Sequence, residues 1–406
     1  VPRTAPRRRA TRDGRSRGAS GARATTPEPA YVEDAAAPVS GETTGPLAPV
    51  APPEPGEAVH EEVVAGAPTG SAPEVTVTVP DAEPVSSRLL VLLWLLVVGA
   101  GLAALVCSLA SVGPDWLDGV GATAVVTAYS WALAARTGGR PVVFGALALV
   151  LGVVVLALDR DALRTGAAVM TCLVSAVLGV MATTPAVRFV QAARECVIAL
   201  LIAAVGAMAT VGFDPVLSVV RFEYTTLGLA LVGAFAVVHR LGAGLHGLGR
   251  RGVVGVLIGA LVLGATLLYA ELLRRYGSAG LVESLLDGVR WSREHLGAFP
   301  RPIETVLGVP ALVWGCHMRA RRRQGWWLCA FGVAATTPVA NALVNPSISL
   351  LECALSVVYG LVIGLALGYA VIRVDLALTG SRGQGGRRLE EAGAVRPEPP
   401  RTAALL

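Results

Sequence analysis

The sequence predicts an all-α fold, a polytopic transmembrane helix bundle of about ten spans. Three observations predict it: the composition, a succession of long apolar stretches, and the connections in which arginine falls. Of the 406 residues, 53% are hydrophobic and only 16% are charged, whereas an ordinary soluble domain carries about 25% charged residues. Aromatic residues make up only 5%, so the apolar mass is Leu, Val, Ala and Gly, which suit close helix packing in a bilayer. Stacking platforms for nucleic acid are not expected from such a composition, and the partner it implies is the lipid bilayer. All 34 basic residues are Arg, a bias read as high-GC coding rather than function.

Residues 1–87 hold almost no sustained apolar run and are rich in Pro, Ala, Gly, Ser and Thr, so they cannot bury enough surface to offset ordering entropy and read as a disordered tail. Eight Arg lie between Arg3 and Arg23, while Glu28 to Glu83 holds acids and no Arg. The basic segment reads either as a solvated topology signal or as a grip on anionic lipid headgroups, where each Arg contributes about 1 kcal/mol. The first strongly apolar run begins near residue 89, too deep and too long for a cleavable signal peptide. From there, residues 88–374 form the bundle, with spans near 89–112, 119–135, 141–158, 165–187, 195–213, 222–239, 252–273, 303–317, 326–345 and 350–373. Each is long enough to cross about 30 Å of hydrocarbon. Residues 375–406 read as a second disordered tail.

Orientation follows from arginine, because short positively charged loops stay cytoplasmic. Arg136 with Arg140, Arg188 with Arg194, Arg240 with Arg250 and Arg251, Arg319 with Arg321, and Arg373 with Arg382 all fall on one side. This places both termini in the cytoplasm. The long connection at 274–302 carries Leu281, Leu285 and Val289 at helical spacing, with Glu283, Asp287, Arg290 and Arg293 mostly elsewhere on the wheel. An amphipathic helix over about 278–297 is expected there, lying on the outer surface with Trp291 near the headgroups or presenting a docking face. Trp116, Trp326 and Trp327 sit at span edges and read as interfacial anchors.

Two short strings recur in the two halves. Ala182-Thr183-Thr184-Pro185 in span four matches Ala335-Thr336-Thr337-Pro338 in span nine, Glu195-Cys196 matches Glu352-Cys353, and Arg140-Pro141 matches Arg301-Pro302, all in the same order. Together they suggest a five-plus-five repeat. With an odd number of spans per unit, the second copy would be inverted, as in transporters whose broken helices meet at a central site. Thr183, Thr184, Pro185, Thr336, Thr337 and Pro338 are therefore substrate-site candidates, or residues tolerated in spans for packing alone.

Ionisable residues within spans are functional candidates. Glu195 and Glu352 read either as acids at the first turn of their spans, where the helix dipole favours them, or as gate or coupling carboxylates on opposite sides. Glu271 and Glu304 are further candidates for the same role. Glycines at 360, 364 and 368 share one helix face and predict close packing. The six cysteines lie in apolar runs with no metal-ligand spacing. No catalytic motif is present, so neither an enzyme, a metal site nor a cofactor is expected.

The stretches HRLGAGLHGLGRR with LLYAELLRRYG, and RARRRQGWW with AATTPVANALVNP, resemble uncharacterised multi-pass membrane proteins of high-GC actinobacteria over about residues 89–380. The resemblance implies a bacterial plasma-membrane location and no assigned activity. The ten-span core is similar in architecture to drug/metabolite-type transporters, from which no residue role carries over. A secondary transporter or permease for a small solute is the expected function. The rival is a non-transporting scaffold or regulator of cell-envelope machinery.

Overall fold

The computed structural model describes residues 85–216, 218–241, 249–321, 325–379 and 398–405, and every regular element among them is helical. The N-terminal tail through residue 84, with its basic segment and the lipid contact expected of it, lies outside the described residues. So does the stretch 380–397.

Among the described residues, eight helices are long and apolar enough to cross a membrane. Their surfaces differ in what covers them. Helix α1 (Val85–Leu109) leaves Leu89, Leu92 and Leu96 more than half exposed. It meets α2 (Leu117–Arg136) where Gly101 and Gly121 face each other, and a Cβ added at Gly121 would stand 2.8 Å from the Gly101 carbonyl oxygen. Small residues at such a crossing let the backbones approach, which is how helices associate in lipid without a hydrophobic driving force. α2 is itself well buried, and its Tyr129 hydroxyl donates to the Ile202 carbonyl at 3.0 Å. Helix α3 (Pro141–Leu158) opens on a proline in its first turn, where no N–H is required, and turns Val142, Leu147, Val150 and Leu151 outward.

Helices α4 (Asp161–Met181), α5 (Phe189–Val211) and α6 (Val219–Arg240) form the middle of the bundle with α11 (Val333–Val344). α4 and α5 approach at Gly206, which faces the Ser175 side chain. Helix α7 (Gly249–Tyr276) lies outside them, its Gly255 and Gly259 against Leu328 and Phe331. Helix α8 (Ala279–Leu296) forms where the amphipathic pattern predicts it. The chain leaves Leu285, Leu286, Trp291 and Leu296 exposed there; the Leu281 side chain lies outside the described residues.

A π-helical turn, Ile303–Gly308, leads into α9 (Val309–Arg319). The expected ninth span is two pieces, α10 (Gly325–Ala330) and α11, divided by a turn at Phe331 and Gly332. Helix α12 (Leu350–Thr379) packs along α9. The glycine face read from the sequence is this contact: Gly360 meets Glu304, Gly364 meets Val309 and Gly368 meets Val313.

Several expectations change. Span four stops at Met181, so the first Ala-Thr-Thr-Pro string is largely non-helical, whereas the second lies inside α11. Residues 375–406 are not one unstructured tail: α12 continues to Thr379, and residues 398–405 lie against the bundle. Trp326 and Trp327 are buried rather than interfacial, because Arg319 covers Trp326 and Phe235 packs on Trp327. Trp116 is exposed.

Candidate functional site

Among the described residues, the buried acids and arginines gather at the two ends of the bundle. At the arginine end, where α2 and α9 finish, the non-helical segment 182–186 after α4 is the organising piece. Pro185 has no N–H to continue the α4 ladder, and the released backbone turns outward to neighbours, with the Ala186 N–H donating to the Cys316 carbonyl at 3.0 Å. Arg319 is fully buried. Its guanidinium donates to the Thr183 hydroxyl at 2.8 Å and the Thr183 carbonyl at 3.1 Å, and stacks 3.4 Å above the Trp326 ring. The same guanidinium donates to the Glu398 carboxylate at 2.5 Å.

Glu195 is also fully buried there. It accepts from the Thr184 N–H at 2.9 Å, Arg401 at 2.7 Å and Arg194 at 3.0 Å. Because α5 starts at Phe189, Glu195 lies beyond the first turn, and the dipole reading of this acid gives way to ion pairing. Arg136, nearly fully buried, donates to the Met181 carbonyl at 3.1 Å and to the Pro400 and Ala403 carbonyls at 2.8 and 2.6 Å. Thr183 and Thr184 thus belong to a charged cluster, while Pro185 shapes the segment that carries them.

The second string is built differently. The Thr336 hydroxyl donates across to the Ala176 carbonyl of α4 at 3.2 Å, and its methyl packs near Gly179. Thr337 donates to the Val333 carbonyl one turn back at 2.7 Å, and Pro338 lacks the N–H that would reach the Ala334 carbonyl. Thr336 thus lies in the contact of α11 with α4, and all three residues are buried where α11 packs among α4, α5 and α6.

At the opposite end, where α9 and α12 begin, Glu304 is fully buried within the π-helical turn. Neither of its carboxylate oxygens has a hydrogen-bond partner among the described residues. The wider turn is visible in the Val309 N–H, which donates to the Glu304 carbonyl. π-Turns of this kind occur often at functional sites. A hollow of about 120 Å³ opens nearby, lined by Arg293, Arg301, Pro302, Ala342, Glu352 and Cys353 among others. Pro302, two residues before Glu304, forms part of its wall. Glu352 does lie in the first turn of α12 and pairs with Arg293 at 2.9 Å. Glu271 sits apart, paired along α7 with Arg275.

A second, larger hollow of about 350 Å³ is apolar and lined by α1, α2 and α3, including Leu93, Trp94 and Leu149. Neither hollow is lined by a threonine of the two strings. Sequence reasoning missed Arg136, Arg319, Glu398 and Arg401. Arginines at span ends looked like topology markers, and the only signal for the tail contact was an acid and an arginine three residues apart. Scans of family models, of curated proteins and of solved structures give no match to this chain.

Proposed function

We propose that this chain is a secondary transporter or permease for a small solute, crossing a bacterial plasma membrane ten times with both termini in the cytoplasm. The two further crossings are α2 and the π-turn with α9, which are covered by neighbouring helices. The observation that carries the reading is Glu304. An isolated carboxylate in a low-dielectric interior is costly unless it is neutralised by a proton or a cation. An acid that no side chain or backbone N–H hydrogen-bonds among the described residues, with Arg301 acting on it only through its charge, is held in an irregular turn beside a polar hollow and suits a group that takes up and releases such a partner. A scaffold needs no such group, since polar residues at the rims suffice for docking.

In this reading Glu304 is the coupling carboxylate, and the Arg293–Glu352 pair guards the outer approach. The arginine-end cluster closes the cytoplasmic side. The broken pieces α10 and α11 supply the backbone freedom that a change of access requires. The test is proton flux in proteoliposomes containing an entrapped pH indicator, screened against organic acids, amines, sugars and amino acids. A solute-dependent pH change that is lost in Glu304→Gln supports transport. A solute-driven change that is identical in Glu304→Gln removes the role given to this acid.

A further inference from the structure

The arginine end holds more buried positive charge than the bundle alone balances. Without residues 398–405, the pocket would contain the guanidiniums of Arg136 and Arg319 against the single carboxylate of Glu195, leaving room for one negative charge. The chain sets the Glu398 carboxylate of its own C-terminal segment there, but the same segment brings Arg401 to Glu195, so the excess of positive charge stays. Glu398 binds Arg319, the Pro400 and Ala403 carbonyls receive Arg136, and the Leu405 N–H donates back to the Arg136 carbonyl at 2.8 Å. Arg401 meanwhile reaches the Ala182 carbonyl at 2.8 Å and Glu195 at 2.7 Å.

The fit leaves donors over. One terminal nitrogen of Arg136 and the Nε of Arg319 are buried without a hydrogen-bond partner among the described residues. A guanidinium presents donors in a planar fork that matches a carboxylate with two parallel hydrogen bonds, yet Glu398 engages only one nitrogen of Arg319. The segment thus engages the two guanidiniums while leaving part of their donor capacity unused.

We propose that this pocket is a binding site for a small monocarboxylate, and that Glu398–Leu405 is a latch whose Glu398 carboxylate stands in for that ligand. Glu195 selects the ligand charge, because a dianion would face its carboxylate as well as the two guanidiniums. A soluble carboxylate that engages the unused donors displaces Glu398 and frees the segment. The pocket is the cluster that closes the cytoplasmic side in the transport reading, but its occupancy is read by binding alone, without any gradient or flux, so either reading can fail without the other.

The test uses the full chain in lipid nanodiscs with Cys107→Ser, which removes the one exposed cysteine among the described residues, and a spin label on Thr402→Cys, an exposed position in the segment. The label is expected to be immobilised in the otherwise native chain. Glu398→Gln, which lies outside the bundle helices, is expected to raise the ratio of mobile to immobilised label roughly tenfold, the size set by losing a hydrogen bond between charged groups. Sodium acetate titrated into the native-tail protein is expected to mobilise the label, and sodium chloride at equal ionic strength is expected to leave it immobilised. A label that is mobile from the start, or unaffected by Glu398→Gln, overturns the latch. Acetate acting no better than chloride overturns the carboxylate site.

Discussion

Glu195 and Glu304 are both withdrawn completely from solvent, yet their surroundings are opposites. Glu195 is met by a backbone N–H and two arginines, one of them from the far C-terminal segment. Glu304 is met by no hydrogen-bond donor among the described residues, and its carboxyl group lies against the bare face of Gly360. A fully paired acid has been assigned its partners by the fold and stabilises one arrangement. An acid left without hydrogen bonds at the cost of desolvation is, in the proposed transport, kept for a partner that comes and goes. Under the proposed function, the difference separates a closure from a working group within one bundle.

Substitutions can break or sharpen this contrast, and reversible unfolding in mixed micelles measures them. The largest effect is expected at Gly308, where an added Cβ would collide with the backbone of Ala334 and Ala335 in α11. Gly308→Val is expected to cost about 3 kcal/mol or more, as overpacking against an immovable backbone does. It would also pry the π-turn away from α11 and expose Glu304. Glu195→Ala is expected to cost about 2 kcal/mol, because the Thr184 N–H and two arginines lose their acceptor together. The figure stays modest because Arg194 and Arg401 are partly exposed and recover water.

Gly360→Ala comes next. Its methyl would stand 2.8 Å from the Glu304 carboxyl carbon, and the expected cost is about 1–2 kcal/mol. Combining it with Glu304→Ala should relieve most of that cost, giving a coupling of about 1 kcal/mol in a double-mutant cycle. Additive costs would show that the two residues do not touch. Glu304→Met is expected to change the sign, stabilising by about 1 kcal/mol, because an unpaired polar group is replaced by an apolar one of similar length. Destabilisation of similar size would mean that Glu304 has a structural partner. The smallest effect is expected for Arg275→Gln, within about 0.5 kcal/mol, since its pairing with Glu271 along an exposed helix face is a surface interaction.

How much of this was legible beforehand depends on the range of the interaction. The helices and the amphipathic α8 could be read because hydropathy and periodicity are local properties, and the glycine face at 360, 364 and 368 could be read because the period is that of one helix. Glu304 and Glu195 were visible as acids near spans. Their opposite fates were not, because pairing is decided by residues as distant as Thr184 and Arg401. Arg319 reads as a loop charge in the sequence because its burial depends on Trp326 and on a carboxylate 79 positions further along the chain. The Ala-Thr-Thr-Pro strings match in letters but not in conformation. Pro185 follows the end of α4, while Pro338 is held inside α11 by packing on every side.

In the proposed transport Glu304 exchanges its neutralising partner with water, and infrared difference spectroscopy of the full chain in lipid, recorded on stepping the pH, tests that directly. A carboxyl band that appears and disappears with the step, shifts in deuterated water, and is absent from Glu304→Gln is the predicted result. A difference spectrum identical in the native chain and in Glu304→Gln would show that this acid never changes its state, and would contradict the role assigned to it.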